Sequence, residues 1–107
     1  MNFTHLSEKL KNNNEIKEFL LHNKDKFWAF DNVLLFGSSI QEGIVPEDID
    51  LLLVYRDFTD VVLSEMKSIC FFIEENLHME LDLTVMSINE VFETGFIEKI
   101  SDYIQLK

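Results

Sequence analysis

Asp48-Ile49-Asp50-Leu51-Leu52-Leu53-Val54-Tyr55 is the stretch that most restricts what this chain can fold into. Its Ile, Leu and Val residues contain no turn former, and they predict a buried strand over Ile49–Tyr55. Strand residues two apart share a face, so Asp48 and Asp50 point together while Ile49 faces the core. The stretch follows a Gly37-Ser38-Ser39 turn that ends a shorter apolar run, Val33–Phe36. It precedes a third run, Leu81–Met86, in which a strand would bring Asp82 alongside the first two acids. Three carboxylates in one place repel one another unless a cation joins them. An all-oxygen set on a rigid sheet suits a hard ion such as Mg²⁺.

Helical periodicity fills the intervals. Phe3, Leu6 and Leu10 predict a helix that Asn12-Asn13-Asn14 interrupts, giving either one bent helix or a second one capped there that carries Ile16, Phe19 and Leu20. Lys24–Asp31 reads as a connector with a partly buried Phe27-Trp28, and Ile40–Asp48 as a loop or a single helical turn, since Gly43 and Pro46 limit how far a helix could run. Thr59 caps a helix over Asp60–Leu77, where Val62, Met66, Ile69, Ile73 and Leu77 form one stripe. Phe71 falls opposite that stripe. The C-terminal helix is expected to cover it, the other reading being an aromatic that marks a protein-contact face. Ser87 and Glu90 form a capping-box pattern, Gly95 ends that turn, and Phe96, Ile97, Ile100 and Ile104 predict a last amphipathic helix.

The helix between the second and third strands makes those two parallel, and the short loop between the first and second makes them antiparallel neighbours. The expected fold is α+β: a small mixed β-sheet flanked by helices, in one domain spanning residues 1–107. Apolar content of 47% with ten phenylalanines favours a packed core over disorder.

Charge narrows the function. Twenty acids against nine Lys and Arg give a net charge of −11, which repels nucleic acid and favours a basic protein partner. Cys70 stands alone, so no internal disulfide forms and the thiol is expected to be inert core in a reducing compartment. Met1–Lys11 has no stretch of signal-peptide length. The apolar runs fall far short of the ~20 residues that span a bilayer, so the expected location is the cytoplasm. His5, His22 and His78 lack ligand spacing for zinc.

A Gly-Ser turn after a strand lets backbone approach a ligand closely, because Gly37 has no Cβ. The amides beyond it and the Ser38 and Ser39 hydroxyls then face phosphate oxygens as donors. Beside a carboxylate cluster, that arrangement supports metal-assisted transfer at phosphorus, with Asp82 on the nucleophile's side as ligand or general base.

Leu35-Phe36-Gly37-Ser38-Ser39, then Asp48-Ile49-Asp50-Leu51-Leu52-Leu53-Val54, then Glu80-Leu81-Asp82-Leu83, resembles the DNA-polymerase-β-type nucleotidyltransferase superfamily, in its minimal single-domain branch. The resemblance covers residues 33–86. It implies two Mg²⁺ ions on Asp48, Asp50 and Asp82, with NTP phosphates on Gly37 and Ser38. It also implies transfer of a nucleoside monophosphate, AMP if the donor is ATP, to a hydroxyl with release of pyrophosphate. Minimal members often accompany a HEPN-type toxin as its antitoxin, and some adenylylate a tyrosine on it, so the resemblance implies a toxin partner.

One departure stands out. Many minimal members carry Ala-Arg-Gly after the turn, where this chain has Gln41-Glu42-Gly43. An acid in place of a base weakens nucleotide affinity unless Arg56, Lys67 or another base compensates. Two rivals follow: a catalytically silent module of the same fold that neutralises a basic partner, and a small-molecule nucleotidyltransferase, for which a homo-oligomer would supply the acceptor pocket.

Overall fold

A computed structural model describes residues 12–107. The helix expected over Phe3, Leu6 and Leu10 lies outside the described residues. Asn12 accepts from the Glu15 N–H at 2.8 Å and opens α1, Asn13–His22. A 3-10 turn, Lys24–Phe27, leads into β1, Asn32–Phe36, and a second, Gly37–Ile40, follows it directly. After the loop come β2, Asp48–Tyr55, and α2, Asp60–Leu77. Then β3, Glu80–Ser87, runs into two short helices, α3 (Ile88–Thr94) and α4 (Phe96–Ile100), and the edge strand β4, Ile104–Gln105.

The sheet order is β3-β2-β1-β4. β1 is antiparallel to both its neighbours, and β2 is parallel to β3 with α2 as the crossover. This is the mixed sheet expected from the order of the elements, with one strand added.

The period-two alternation of β2 divides the protein into two layers. Ile49, Leu51 and Leu53 point into the larger core with Val33 and Leu35 of β1, Ile16 and Leu20 of α1, and Val62, Ile69, Ile73 and Leu77 of α2. Each such side chain contributes about 1.5–3 kcal/mol by leaving water. Leu52 and Val54 point the other way, into a smaller cluster with Leu34 and Val91, packed against by Phe36, Phe96, Ile97 and Ile100. Asp48 and Asp50 have the parity of Leu52 and Val54. They therefore form the polar end of the α3–α4 face.

The caps fall where their side chains predict. Thr59 accepts from the Val62 N–H at 3.3 Å. Ser87 and Glu90 make both bonds of the capping box, and Gly95 (φ 63) ends α3 in the left-handed region.

Three expectations need correction. The last helix stops at Ile100 and does not continue to Ile104. Ser101 turns to φ 57, ψ −64, and the Asp102 N–H donates to the Ile100 carbonyl at 2.7 Å. That tight reversal redirects the chain so that Ile104 and Gln105 pair with Leu35 and Leu34. Ile104 suits the i+4 position of a helix as well as an edge strand, so its spacing alone could not separate them.

Phe71 is not covered by the C-terminal helix. It is 68% exposed, because α4 packs on the face of the sheet opposite α2. The aromatic pair of the connector also splits: Phe27 is fully buried, while Trp28 is exposed and donates from Nε1 to Glu65 Oε1 at 2.9 Å.

Candidate active site

Parallel pairing of β2 with β3 puts Asp50 in register with Asp82 and Asp48 in register with Glu80. One carboxylate oxygen from each of Asp48, Asp50 and Asp82 lies within 4.8 Å of the other two. Asp48 and Asp50 are half-buried and Asp82 is exposed, so the cluster has a dry side and an open side. Glu80 has the same parity as these three and adds a fourth, exposed carboxylate at the strand ends. Its position two residues before Asp82 was the signal that could have identified it.

The cluster carries the electrostatic signature of crowded like charges. The Asp50 carboxyl is held up to about 6 from its ordinary 3.8. Burial contributes most, followed by the negative charges of Asp48 and Asp82 and a hydrogen bond with Asp82.

The turn after β1 reaches the cluster through Gly37. Phe36 pairs with Asp50, so the next residue meets the Asp50 side chain. Gly37 has φ +75, and a Cβ built on it would stand 2.2 Å from Asp50 Oδ2. Only a glycine allows both that backbone conformation and that approach.

Ser38 is half-buried and Ser39 fully buried. The Ser39 hydroxyl donates to the Asp48 backbone carbonyl at 3.2 Å. This corrects the reading of Ser39 as a phosphate-facing hydroxyl: it ties the turn to the start of β2 and so fixes Asp48. Ser38 keeps the role of candidate donor.

The bases proposed to offset Glu42 are placed elsewhere. Arg56 follows the C-terminal end of β2, about 26 Å of extended strand from Asp48, and pairs with Asp31 at 2.9 Å. Lys67 is exposed on α2, on the other side of the sheet from the acids. Glu42 lines a cavity of about 230 Å³ with Asn13, Asn14, Ser39, Ile40 and Lys17 of α1. Among the described residues Lys17 is thus a base that shares a cavity with the turn, and nothing in its sequence position singled it out.

The donor set fits a hard divalent ion. Its members are all carboxylate oxygens, they converge from two adjacent strands, and Asp50 is perturbed by its neighbours' charge in a way a cation would relieve. Among the described residues this is the one such group, and no helix is long and apolar enough to cross a membrane.

No protein-family model and no curated protein matches this sequence. Solved structures do. One is the toxin–antitoxin structure MntA-HpeT, in a mutant form. It matches at a TM-score of 0.56 and 18% identity over 91% of this chain and 73% of that one. Another, a candidate nucleotidyltransferase from Sulfolobus solfataricus, has a TM-score of 0.49 and 20% identity over 94% and 83% of the two chains. The mixed sheet, its flanking helices and the first of these matches establish the fold: the chain has the polymerase-β-type nucleotidyltransferase fold.

Proposed function

We propose that this protein is a Mg²⁺-dependent nucleotidyltransferase that moves a nucleoside monophosphate, AMP from ATP, onto a hydroxyl of a partner protein. The observation that carries the reading is the convergence of Asp48, Asp50 and Asp82 beside a glycine turn that abuts one of them. A partner with toxin activity is the natural acceptor, since the structural neighbour MntA-HpeT is a toxin–antitoxin pair, and the −11 net charge favours a basic one.

In this reading Asp48, Asp50 and Asp82 hold the divalent ions, while Gly37 and Ser38 hold the β- and γ-phosphates. Bound divalent ions would offset the polyphosphate charge and acidify the attacking hydroxyl. Asp82, on the open side, takes the hydroxyl proton. The acceptor oxygen bonds to the α-phosphorus, the bond from that phosphorus to the oxygen bridging to the β-phosphate breaks, and pyrophosphate leaves with that electron pair from the Gly37–Ser38 turn. Ser39 keeps Asp48 in place throughout.

The test is transfer itself. The protein that co-purifies with this chain is incubated with ATP and Mg²⁺ and weighed by mass spectrometry. A gain of one AMP unit that disappears in Asp50→Asn supports the proposal. Equal modification by the variant contradicts it.

A further inference from the structure

β3 is the outer strand of the sheet, with β2 on one side and no described element paired with the other. Two hydrogen bonds show which of its backbone groups face outward. The Leu81 N–H donates to Glu74 Oε2 at 3.2 Å, and the Ser87 N–H donates to Glu90 Oε1 at 2.9 Å. Neither goes to β2. Backbone groups alternate sides along a strand, so Leu83 and Val85 also face outward, whereas Asp82, Thr84 and Met86 turn their backbone toward β2. Side-chain carboxylates thus close the edge at its two ends and leave the Leu83–Val85 segment between them.

Open edges of this kind accept another strand, and proteins commonly blunt them with lysine, proline or a bulge. β3 contains neither lysine nor proline. The charges it carries are Glu80 and Asp82, and Asp82 belongs to the acid cluster.

The order of strands gives the edge a purpose. Across the sheet, Asp82 on β3 comes first, Asp48 and Asp50 on β2 next, and the Gly37 turn after β1 beyond them. Transfer at phosphorus requires attacking and leaving oxygens roughly in line. With pyrophosphate leaving over the Gly37–Ser38 turn, the acceptor must enter from the β3 side.

We propose that β3 is the docking strand for the acceptor. An extended segment of the partner polypeptide, flanked by basic residues, adds to the edge at Leu83 and Val85 and presents a hydroxyl side chain on the Asp82 face. This rests on the nucleotidyltransferase reading and specifies how its protein substrate is held. An added strand lies about 4.8 Å from β3, and same-face side chains on paired strands stand about 4.5–5.5 Å apart at Cβ. A residue opposite Asp82 therefore places its side chain beside that carboxylate. Lysine or arginine flanks match Glu80, Asp82 and the overall acidity.

The test uses a synthetic heptapeptide, Lys-Thr-Val-Tyr-Val-Thr-Lys, and the same peptide with alternate backbone amides N-methylated in either register. Methylation removes strand pairing and keeps the side chains. Amide exchange of the full chain is followed by NMR without nucleotide, so the outcome is independent of whether ATP binds. The unmethylated peptide is expected to slow exchange at Leu83 and Val85 about tenfold or more, with Thr84 unchanged, and at least one methylated form is expected to lose this. Val85→Pro, which deletes one outward N–H at an edge position that tolerates proline, is expected to abolish protection at Leu83 while Mg²⁺–ATP binding by calorimetry stays unaltered.

No protection at either residue, or equal protection by all the peptides, overturns the proposal. Protection that rises with protein concentration in the absence of peptide assigns the edge to a second copy of the chain, and overturns it too. Failure of Mg²⁺–ATP to bind the wild-type chain counts against the enzymatic reading instead.

Discussion

Gly37 and Asp50 occupy space that a single methyl group would deny them. A Cβ on Gly37 would meet Asp50 Oδ2 at 2.2 Å, so the turn and the carboxylate are fitted to one another across adjacent strands.

Gly37→Ala is therefore expected to damage both stability and divalent-ion binding. Its φ of +75 costs an alanine about 1–2 kcal/mol, and Asp50 must also move. Gly43 provides the control, since it has φ +79 but nothing within 4 Å of a built Cβ. Gly43→Ala should lose stability through the backbone alone and keep its Mn²⁺ affinity. Thermal unfolding and Mn²⁺ titration of the two variants separate the contact from the strain. Equal Mn²⁺ affinity in both would show that the Gly37–Asp50 fit does not matter for metal.

The raised Asp50 pKa gives a signed pH dependence. Between the ordinary 3.8 and about 6 the folded protein binds more protons at Asp50 than the unfolded chain does. This group's contribution to stability therefore falls as pH rises through that window, and ionisation opposes folding above it. Metal-free protein should gain less from a shift from pH 7 to pH 5 when Asp50 is replaced by Asn. Divalent affinity should run the other way, weakening as pH drops below about 6 because a proton competes for the same oxygen. Melting curves at both pH values, with and without Mg²⁺, check the two signs together.

The two serines of the turn should part company. Ser39 is buried and bonded to the Asp48 carbonyl, so Ser39→Ala should lose about 1 kcal/mol of stability. Ser38 is half-buried, and no side-chain bond holds its hydroxyl among the described residues. Ser38→Ala is expected to leave the melting temperature unchanged while lowering Mg²⁺–ATP affinity. Urea unfolding alongside calorimetry distinguishes them, and a stability loss in Ser38→Ala with intact nucleotide affinity would reverse the assignment.

Lys17 is the base that shares a cavity with Ser39, Ile40 and Glu42. If its charge offsets Glu42 for a bound triphosphate, Lys17→Met should weaken Mg²⁺–ATP binding and Glu42→Gln should strengthen it. Calorimetry of each variant at low salt reads the effect. Unchanged affinity in both would place this cavity outside the nucleotide's reach.

Much of this architecture was legible because different signals agreed. The run from Ile49 to Tyr55 combined β propensity with the parity that aligned Asp48 and Asp50, and Thr59, Ser87 and Gly95 each marked a helix end by side-chain chemistry. The convergence of Asp82 followed from the parallel crossover. What escaped notice depended on tertiary placement. Ile104 belongs to β4 because Ser101 reverses the chain, a left-handed backbone for a non-glycine residue that its sequence does not announce. Ser39 looks like Ser38 in sequence, and only the approach of the Asp48 carbonyl separates their roles. Arg56 is close to Asp50 in sequence but lies beyond the far end of an extended strand.

The most direct measurement is calorimetric titration of Mg²⁺–ATP into the wild-type chain and into Asp50→Asn. Wild type is expected to bind and the variant to lose at least about tenfold in affinity while its metal-free melting temperature at pH 7 is no lower than that of wild type, since one ligand charge is gone together with the repulsion it met in the folded state. Equal heats from both, or no heat from the wild type, would contradict a carboxylate cluster built to hold metal and nucleotide.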